Sequence, residues 1–207
     1  MRIKLLWKTF LANWQTISGL FLFGFMTVHF FGVSLINIGE KALNWYTAHL
    51  DKSNWVIVAA VLVVLIVALF HMVNGFKIMW PYIKSPSKVH AYVLEMGYFD
   101  SFLWFVHFVS GAIVAVGLTA HILIACLLGS HTITTVDIIK EQFQSEAYWY
   151  AMAVFLMALV VHMMIGIHSV IIKYDFLPKY RKWIFYALAT TGFLLFALGL
   201  NNLFLLR

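Results

Sequence analysis

Five apolar runs, each about 20 residues or longer, dominate this chain of 207 residues. At about 1.5 Å per helical residue, such a run crosses a hydrocarbon core of about 30 Å. Hydrophobic residues make up 63% of the chain and charged residues only 11%, which excludes a water-soluble globular protein. The sequence predicts an all-α integral membrane protein forming a single domain, 1–207, with five transmembrane helices at about 14–38, 54–80, 99–129, 147–174 and 180–206.

The basic residues are distributed unevenly, and their distribution predicts the orientation of the chain. Ten of the fourteen fall on one side of the predicted helices: Arg2, Lys4, Lys8, Lys77, Lys84, Lys88, Lys173, Lys179, Arg181 and Lys182. By the positive-inside rule this side is cytoplasmic, together with the N-terminus. A basic face suits either anionic lipid or a soluble partner subunit, and the sequence does not separate the two.

The connections and the tryptophans agree with these boundaries. The longest connection runs from about Gly129 to Glu146, so a soluble catalytic domain has no room and would have to be supplied by another chain. Tryptophan rings anchor at the headgroup level of a membrane, and all eight lie near predicted helix ends. They are Trp7, Trp14, Trp45, Trp55, Trp80, Trp104, Trp149 and Trp183.

Each of the first four predicted helices contains one histidine well inside the membrane: His29, His71, His121 and His162. A neutral imidazole in hydrocarbon still needs partners for its ring nitrogens. Counting the helical rise places His71 and His162, the inner pair, roughly 14–16 Å from the cytoplasmic side. His29 and His121, the outer pair, lie roughly 22–31 Å from that side. Because one low-spin haem takes two imidazoles at matching depth, the count predicts two stacked haems.

Residues around these histidines carry further expectations. Four glycines lie three or four residues from the four histidines and are predicted to admit a flat macrocycle: Gly32, Gly75, Gly117 and Gly166. His107 and His168 lie nearer the inner ends, where a wet boundary or a haem propionate is expected to satisfy them. His49, His90 and His131 are expected to be solvated loop residues. The fifth helix contains no histidine and is predicted to be peripheral.

At these residues the chain resembles the dihaem cytochrome b subunit of succinate:quinone oxidoreductases and quinol:fumarate reductases, in the form with one five-helix anchor. The similarity extends over nearly the whole chain. In that family, one histidine on each of the first four helices ligates the haems, the first helix pairing with the third and the second with the fourth. The resemblance therefore implies two haem b groups, one held by His29 and His121, the other by His71 and His162.

Other positions resemble the family more specifically. Gln15 and Thr16 look like the Gln-Ser pair that contacts haem, Trp104 looks like the haem-contacting tryptophan, and Lys173 is similar to the lysine downstream of the fourth ligand. From its position at the inner end of the fourth helix, Lys173 is also predicted to pair with an inner haem propionate. The glutamate that some members use for transmembrane proton transfer is Val160 here, so the resemblance does not supply that proton path.

The resemblance implies a function in electron transport. The chain would exchange electrons between membrane quinone, with menaquinone expected on the outer side, and a cytoplasmic iron–sulfur subunit bound to a flavoprotein that interconverts succinate and fumarate. It would be the membrane subunit of that enzyme in the bacterial cytoplasmic membrane, with no complete fumarate site of its own and no nucleic-acid partner. Glu40, His49 and Asp51 are the candidates for the quinone site. Whether two such complexes form a dimer is left open.

Three alternatives remain open from the residues alone. The first alternative is a cytochrome b subunit of a hydrogenase, formate dehydrogenase or nitrate reductase, although one ligand on each of the first four helices disfavours this class. The second alternative is a haem-free transporter or proton channel whose histidines titrate along a path. The third alternative is a haem-free anchor whose histidines are structural.

Overall fold

A computed structural model describes residues 2–51, 55–85, 98–128 and 135–207 of the chain, with the isolated positions 87, 89 and 93. Within these residues the structure is helical and contains no strand. The helices are α1 (Arg2–Val33), α2 (Glu40–Asp51), α3 (Trp55–Ile83), α4 (Phe99–Leu128), α5 (Val136–Phe143), α6 (Glu146–Lys173) and α7 (Arg181–Leu205). Short 3₁₀ turns follow α1 and precede α7, at Ser34–Asn37 and Pro178–Tyr180.

Five of these helices are long and apolar enough to cross a membrane. Their spanning segments are Asn13–Asn37, Val58–Ile83, Phe99–Ile124, Glu146–Lys173 and Pro178–Leu205. The prediction of five transmembrane helices is confirmed, although residues 54 and 129 at two predicted boundaries lie outside the described residues. Large apolar side chains such as Val63, Phe70 and Leu194 are at least half exposed. Hydrocarbon is the solvent that such a surface requires, and the chain is a multi-pass membrane protein.

The helices are packed so that α7 lies on the outside. α1 packs along α3, α4 packs along α6, and α6 also packs along α7. Lys173 at the end of α6 contacts Thr16 near the start of α1, and Tyr82 at the end of α3 contacts Trp104 near the start of α4. These contacts gather the basic segments at one end of the bundle, which we call the basic end.

The opposite end, which we call the capped end, is closed by two short helices that the sequence analysis did not predict. α2 lies in the first connection and α5 within the connection from Gly129 to Glu146. An apolar cluster joins these helices to the neighbouring ends of α6 and α7: Ile36, Leu43, Val136, Phe143, Trp149, Leu203 and Leu206. Asn44 of α2 accepts the backbone N–H of Val136 at 2.9 Å and so fixes the start of α5.

A set of asparagines ties α7 to the end of α1 at the capped end. Asn202 is buried, donates to the Ser34 hydroxyl at 2.9 Å and accepts from Asn37 at 2.6 Å. Its neighbour Asn201 is exposed and donates to the Asn37 side chain at 2.6 Å. Trp149 is also buried here and donates to the Leu203 carbonyl at 3.2 Å, so it packs inside the protein and does not anchor at the headgroups.

Candidate functional site

A cavity of about 500 Å³ lies inside the bundle between α1, α3, α4 and α6. This volume falls within the roughly 300–1,000 Å³ that is typical of small-molecule and cofactor sites. Most of its lining is apolar, and within the described residues α7 contributes nothing to it. The polar and aromatic residues that line it include the inner pair, the four other residues predicted to contact haem, and His107: Gln15, Thr16, His71, Trp104, His107, His162 and Lys173.

Both histidines of the inner pair line this cavity. The ring centres of His71 and His162 are 6.4 Å apart, and the two ring planes cross at 87°. Two imidazoles on opposite sides of one metal ion have ring centres about 6 Å apart, given a metal–nitrogen distance of about 2.0 Å. The separation of the two rings therefore matches the separation that axial ligation of one iron requires.

Hydrogen bonds orient the ring of His162. Its Nδ1 donates to the backbone carbonyl of His107 at 3.1 Å, which leaves Nε2 as the nitrogen with the lone pair. A histidine that binds a metal usually makes such a bond through its other nitrogen. A Cβ at Gly111 would lie 2.8 Å from the ring of His162. The imidazole fits in this position because residue 111 has no side chain.

The ring of His71 is oriented in the same way from α1. Ser18 is buried, and its hydroxyl donates to the Trp14 carbonyl at 2.7 Å; its oxygen therefore accepts from Nδ1 of His71, 2.9 Å away. Nε2 of His71 is then the acceptor, and in this structure it receives the side-chain N–H of Gln15 at 3.2 Å. A bound iron would take the place of that amide. Asn74 donates to the other end of the Gln15 amide at 2.9 Å.

The basic end of the cavity is formed by Lys173 and Thr16. Nζ of Lys173 donates to the Thr16 hydroxyl at 2.9 Å and lies 3.5 Å from the Asn13 side-chain oxygen. Trp104, which also lines the cavity, meets Tyr82 edge to face with ring centres 4.9 Å apart. One cation and several hydroxyl and amide groups are thus available beside an apolar slot, a donor set that suits the carboxylates of a porphyrin.

The outer pair is arranged differently. His29 stacks on Phe25 at 5.9 Å, and His121 lies 6.3 Å from Phe155 between ring centres. Nδ1 of His121 is buried and has no hydrogen-bond partner among the described residues. A buried polar atom of this kind costs about 1–3 kcal/mol unless water or a bound group meets it.

Protein side chains occupy the four glycine positions that were predicted to admit a macrocycle. A Cβ at Gly117 would overlap the ring of Phe155, and one at Gly32 would overlap the ring of Tyr46. Gly75 faces the Gln15 amide and Gly166 faces the ring of His107. A macrocycle in these places stays a prediction, which at the outer pair requires Phe155 and Tyr46 to move.

The three quinone-site candidates lie on α2 at the capped end, apart from the cavity. Glu40 forms an exposed ion pair with Lys140 of α5. His49 is exposed, donates through Nδ1 to the Trp45 carbonyl at 2.7 Å and packs on the Trp45 ring. Asp51 ends α2, and its side chain lies outside the described part of the structure. The structure does not bring Glu40 or His49 to the four histidines.

Several residues of the site were missed by the sequence analysis. Ser18, Gly19, Asn74 and Gly111 all contact the inner histidines or their partners. Helical spacing offered a signal for two of them, because Ser18 and Gly19 follow Gln15 by three and four residues on one face. His107 was expected at a wet boundary or against a propionate, and its ring instead packs on that of His162 with ring centres 4.3 Å apart. His168 packs against Phe185 and does not line the cavity.

A scan of protein-family models found no match to this chain, and a search of curated proteins found none that it resembles. The fold and the site define a multi-pass membrane protein of five long helices. Four of these helices line a cavity in which the ring centres of two histidines, His71 and His162, are 6.4 Å apart.

Proposed function

We propose that this chain is the dihaem cytochrome b anchor of a bacterial succinate:quinone or quinol:fumarate oxidoreductase, placed in the cytoplasmic membrane with its basic end toward the cytoplasm. The observation that carries the proposal is the inner pair. The ring centres of His71 and His162 are 6.4 Å apart inside the cavity, and each ring has its Nδ1 engaged by a group of the protein.

The residues of the cavity have separate tasks in this proposal. His71 and His162 hold the inner haem, while Lys173 and Thr16 neutralise and bind its propionates beside Gln15 and Trp104. A bound haem supplies reversible one-electron transfer, and the protein supplies orientation, dry packing and charge. Because both ligands are imidazoles, burial and hydrogen bonds to the ligands set the haem potential.

The outer haem and the partners complete the proposed pathway. His29 and His121 hold the second haem, and menaquinone or menaquinol exchanges electrons at the capped end. At the basic end, Lys179 and Lys182 are exposed. Such a surface suits an iron–sulfur subunit carrying a flavoprotein, with anionic lipid around it.

One observation favours a second candidate, a haem-free transporter or channel. A continuous hydrogen-bonded chain runs beside the cavity, from Asn74 through Gln15 and His71, which line it, to Ser18. Chains of this kind line proton and substrate paths through membranes. The two candidates differ in one decisive property, because the transporter binds no haem.

The test is a pyridine haemochrome assay with a reduced-minus-oxidised spectrum on the purified chain and whatever copurifies with it. We expect two b-type haems per chain. A well-folded preparation without haem would overturn the proposal and leave the transporter. One haem per chain, lost on replacing His71, would restrict the cytochrome to the inner pair.

The quinone site needs a separate experiment because Glu40 is ion-paired with Lys140. If Glu40 acts at the quinone, E40Q slows quinol oxidation with haem content preserved, whereas K140Q, which breaks the same ion pair, leaves quinol kinetics near those of the wild type. Equal effects of the two variants would assign Glu40 to the ion pair alone.

A further inference from the structure

A third imidazole lies in the cavity beside the inner pair. The ring centre of His107 is 4.3 Å from that of His162, and the two planes are inclined by 34°. His107 also supplies the carbonyl that accepts from Nδ1 of His162 at 3.1 Å. Since two imidazoles complete the axial positions of one haem, the ring of His107 is left without a task in the proposed function.

The contact between these rings is built into both helices by the same pattern. α4 carries His107 followed four residues later by Gly111, and α6 carries His162 followed four residues later by Gly166. A Cβ at Gly111 would lie 2.8 Å from the ring of His162, and a Cβ at Gly166 would lie 3.5 Å from the ring of His107. Each imidazole therefore sits over the glycine of the other helix, and the two rings interlock between α4 and α6.

This interlock restricts the rotation of the His162 ring. The terminal torsion of a histidine side chain is broad, so a single hydrogen bond leaves the plane of the ring some freedom. A neighbouring ring at 4.3 Å, with a backbone close behind at Gly111, removes much of that freedom. The plane that results crosses the plane of His71 at 87°.

We propose that His107 is a positioning residue whose ring holds the imidazole of His162 nearly perpendicular to that of His71. The inference rests on the proposed inner haem. The angle between two axial imidazole planes governs the splitting of the iron d orbitals, and hence the electron paramagnetic resonance spectrum of the ferric haem. Perpendicular planes give a strongly anisotropic low-spin signal with one large g value, and parallel planes give a rhombic signal with three resolved g values.

The experiment compares two variants that keep the backbone carbonyl of His107 and differ in the side chain. H107F keeps a flat ring in the interlock, and H107L removes it. Spectra are recorded on the ferric holoprotein with haem content measured in parallel, and the inner haem is identified as the signal that H71A removes. H168L is the matched control, because His168 is also a buried histidine of the bundle but packs on Phe185 outside the cavity.

We expect the wild type, H107F and H168L to share the large-g signal of the inner haem, and H107L to shift that signal toward the rhombic form or to lose the inner haem. An unchanged inner signal in H107L would overturn the proposal, as would loss of the inner haem in both His107 variants, since an imidazole nitrogen would then be what matters. Absence of haem from the wild type would instead overturn the proposed function, and this inference with it.

Discussion

The inner and outer histidine pairs differ in their hydrogen bonding and in the space around their rings. At the inner pair, the Nδ1 atoms of His71 and His162 are both engaged, and glycines of the facing helices make room for the rings. At the outer pair, Nδ1 of His121 has no partner among the described residues, and the glycine positions nearby are covered by Phe155 and Tyr46.

The inner half contains an open cavity with a few hydrogen-bonded polar side chains, whereas the outer half is closely packed. The inner half keeps about 500 Å³ open and orients its side chains through hydrogen bonds. The outer half joins the capped end, where α2, α5 and the ends of α6 and α7 share one apolar cluster. A group that binds at the inner pair meets an arranged site, whereas a group at the outer pair must first displace aromatic rings. The following predictions test this contrast.

The largest expected effect is on the proposed inner haem. H71A and H162A should each lower haem content from two to one per chain, because a single imidazole cannot complete the axial pair. H168A removes a buried histidine that lies outside the cavity and should keep both haems. The haemochrome assay measures each outcome, and loss of only the outer haem in H71A or H162A would contradict the proposed pairing.

A second prediction concerns the packing at the outer pair. In G117A the new methyl group meets the ring of Phe155, which has to shift, so we expect a loss of about 1–3 kcal/mol from overpacking. G24A is the matched control on α1, because a Cβ there meets no atom within 4 Å. Thermal unfolding in detergent measures both, and about 2–4 °C per kcal/mol is expected for a chain of this size. Equal melting temperatures for the two variants would show that the outer half is not tightly packed.

Stability at the capped end gives a third prediction. N202A removes a buried amide that joins α7 to Ser34 and Asn37, and we expect a loss of about 1 kcal/mol. N201A removes an exposed amide from the adjacent position and should cost less, because water replaces its bond to Asn37. The same thermal measurement ranks the two. A greater loss in N201A would place the joint between α1 and α7 at the exposed residue.

The membrane helices were predictable because a span must be apolar over its whole length, a property that a single sequence displays directly. The depth of His71 and His162 followed from the fixed rise of a helix, and the structure brings these two rings together. α2 and α5 were missed because they are short and lie in connections, where packing against other segments decides whether a helix forms. Trp149 was predicted to anchor at the headgroups, but packing against α7 buries it, and the sequence does not show that contact.

The partners of the histidines were less predictable. The bonds of Ser18 to His71 and of the His107 carbonyl to His162 cross between helices. Which helices are neighbours, and how they are rotated, is set by packing that the spacing along one helix does not contain. The pattern of histidine and glycine four residues apart was visible for His107 and for His162, and only their proximity in the fold gives it a meaning.

The smallest predicted effect is a loss of stability at alkaline pH through ionisation of Tyr46. The ring of this residue covers Gly32 at the edge of the capped end. Burial raises the pKa of the Tyr46 phenol above its ordinary value of 10.0. The folded chain therefore favours the neutral phenol, and its contribution to stability is complete below pH 10 and is lost as the pH rises through the raised pKa. Y46F cannot ionise at this position, so melting temperatures measured from pH 8 to pH 11 should fall further in the wild type than in Y46F. Parallel curves for the two proteins would mean that the phenol reaches water freely and that the cap does not close over Gly32.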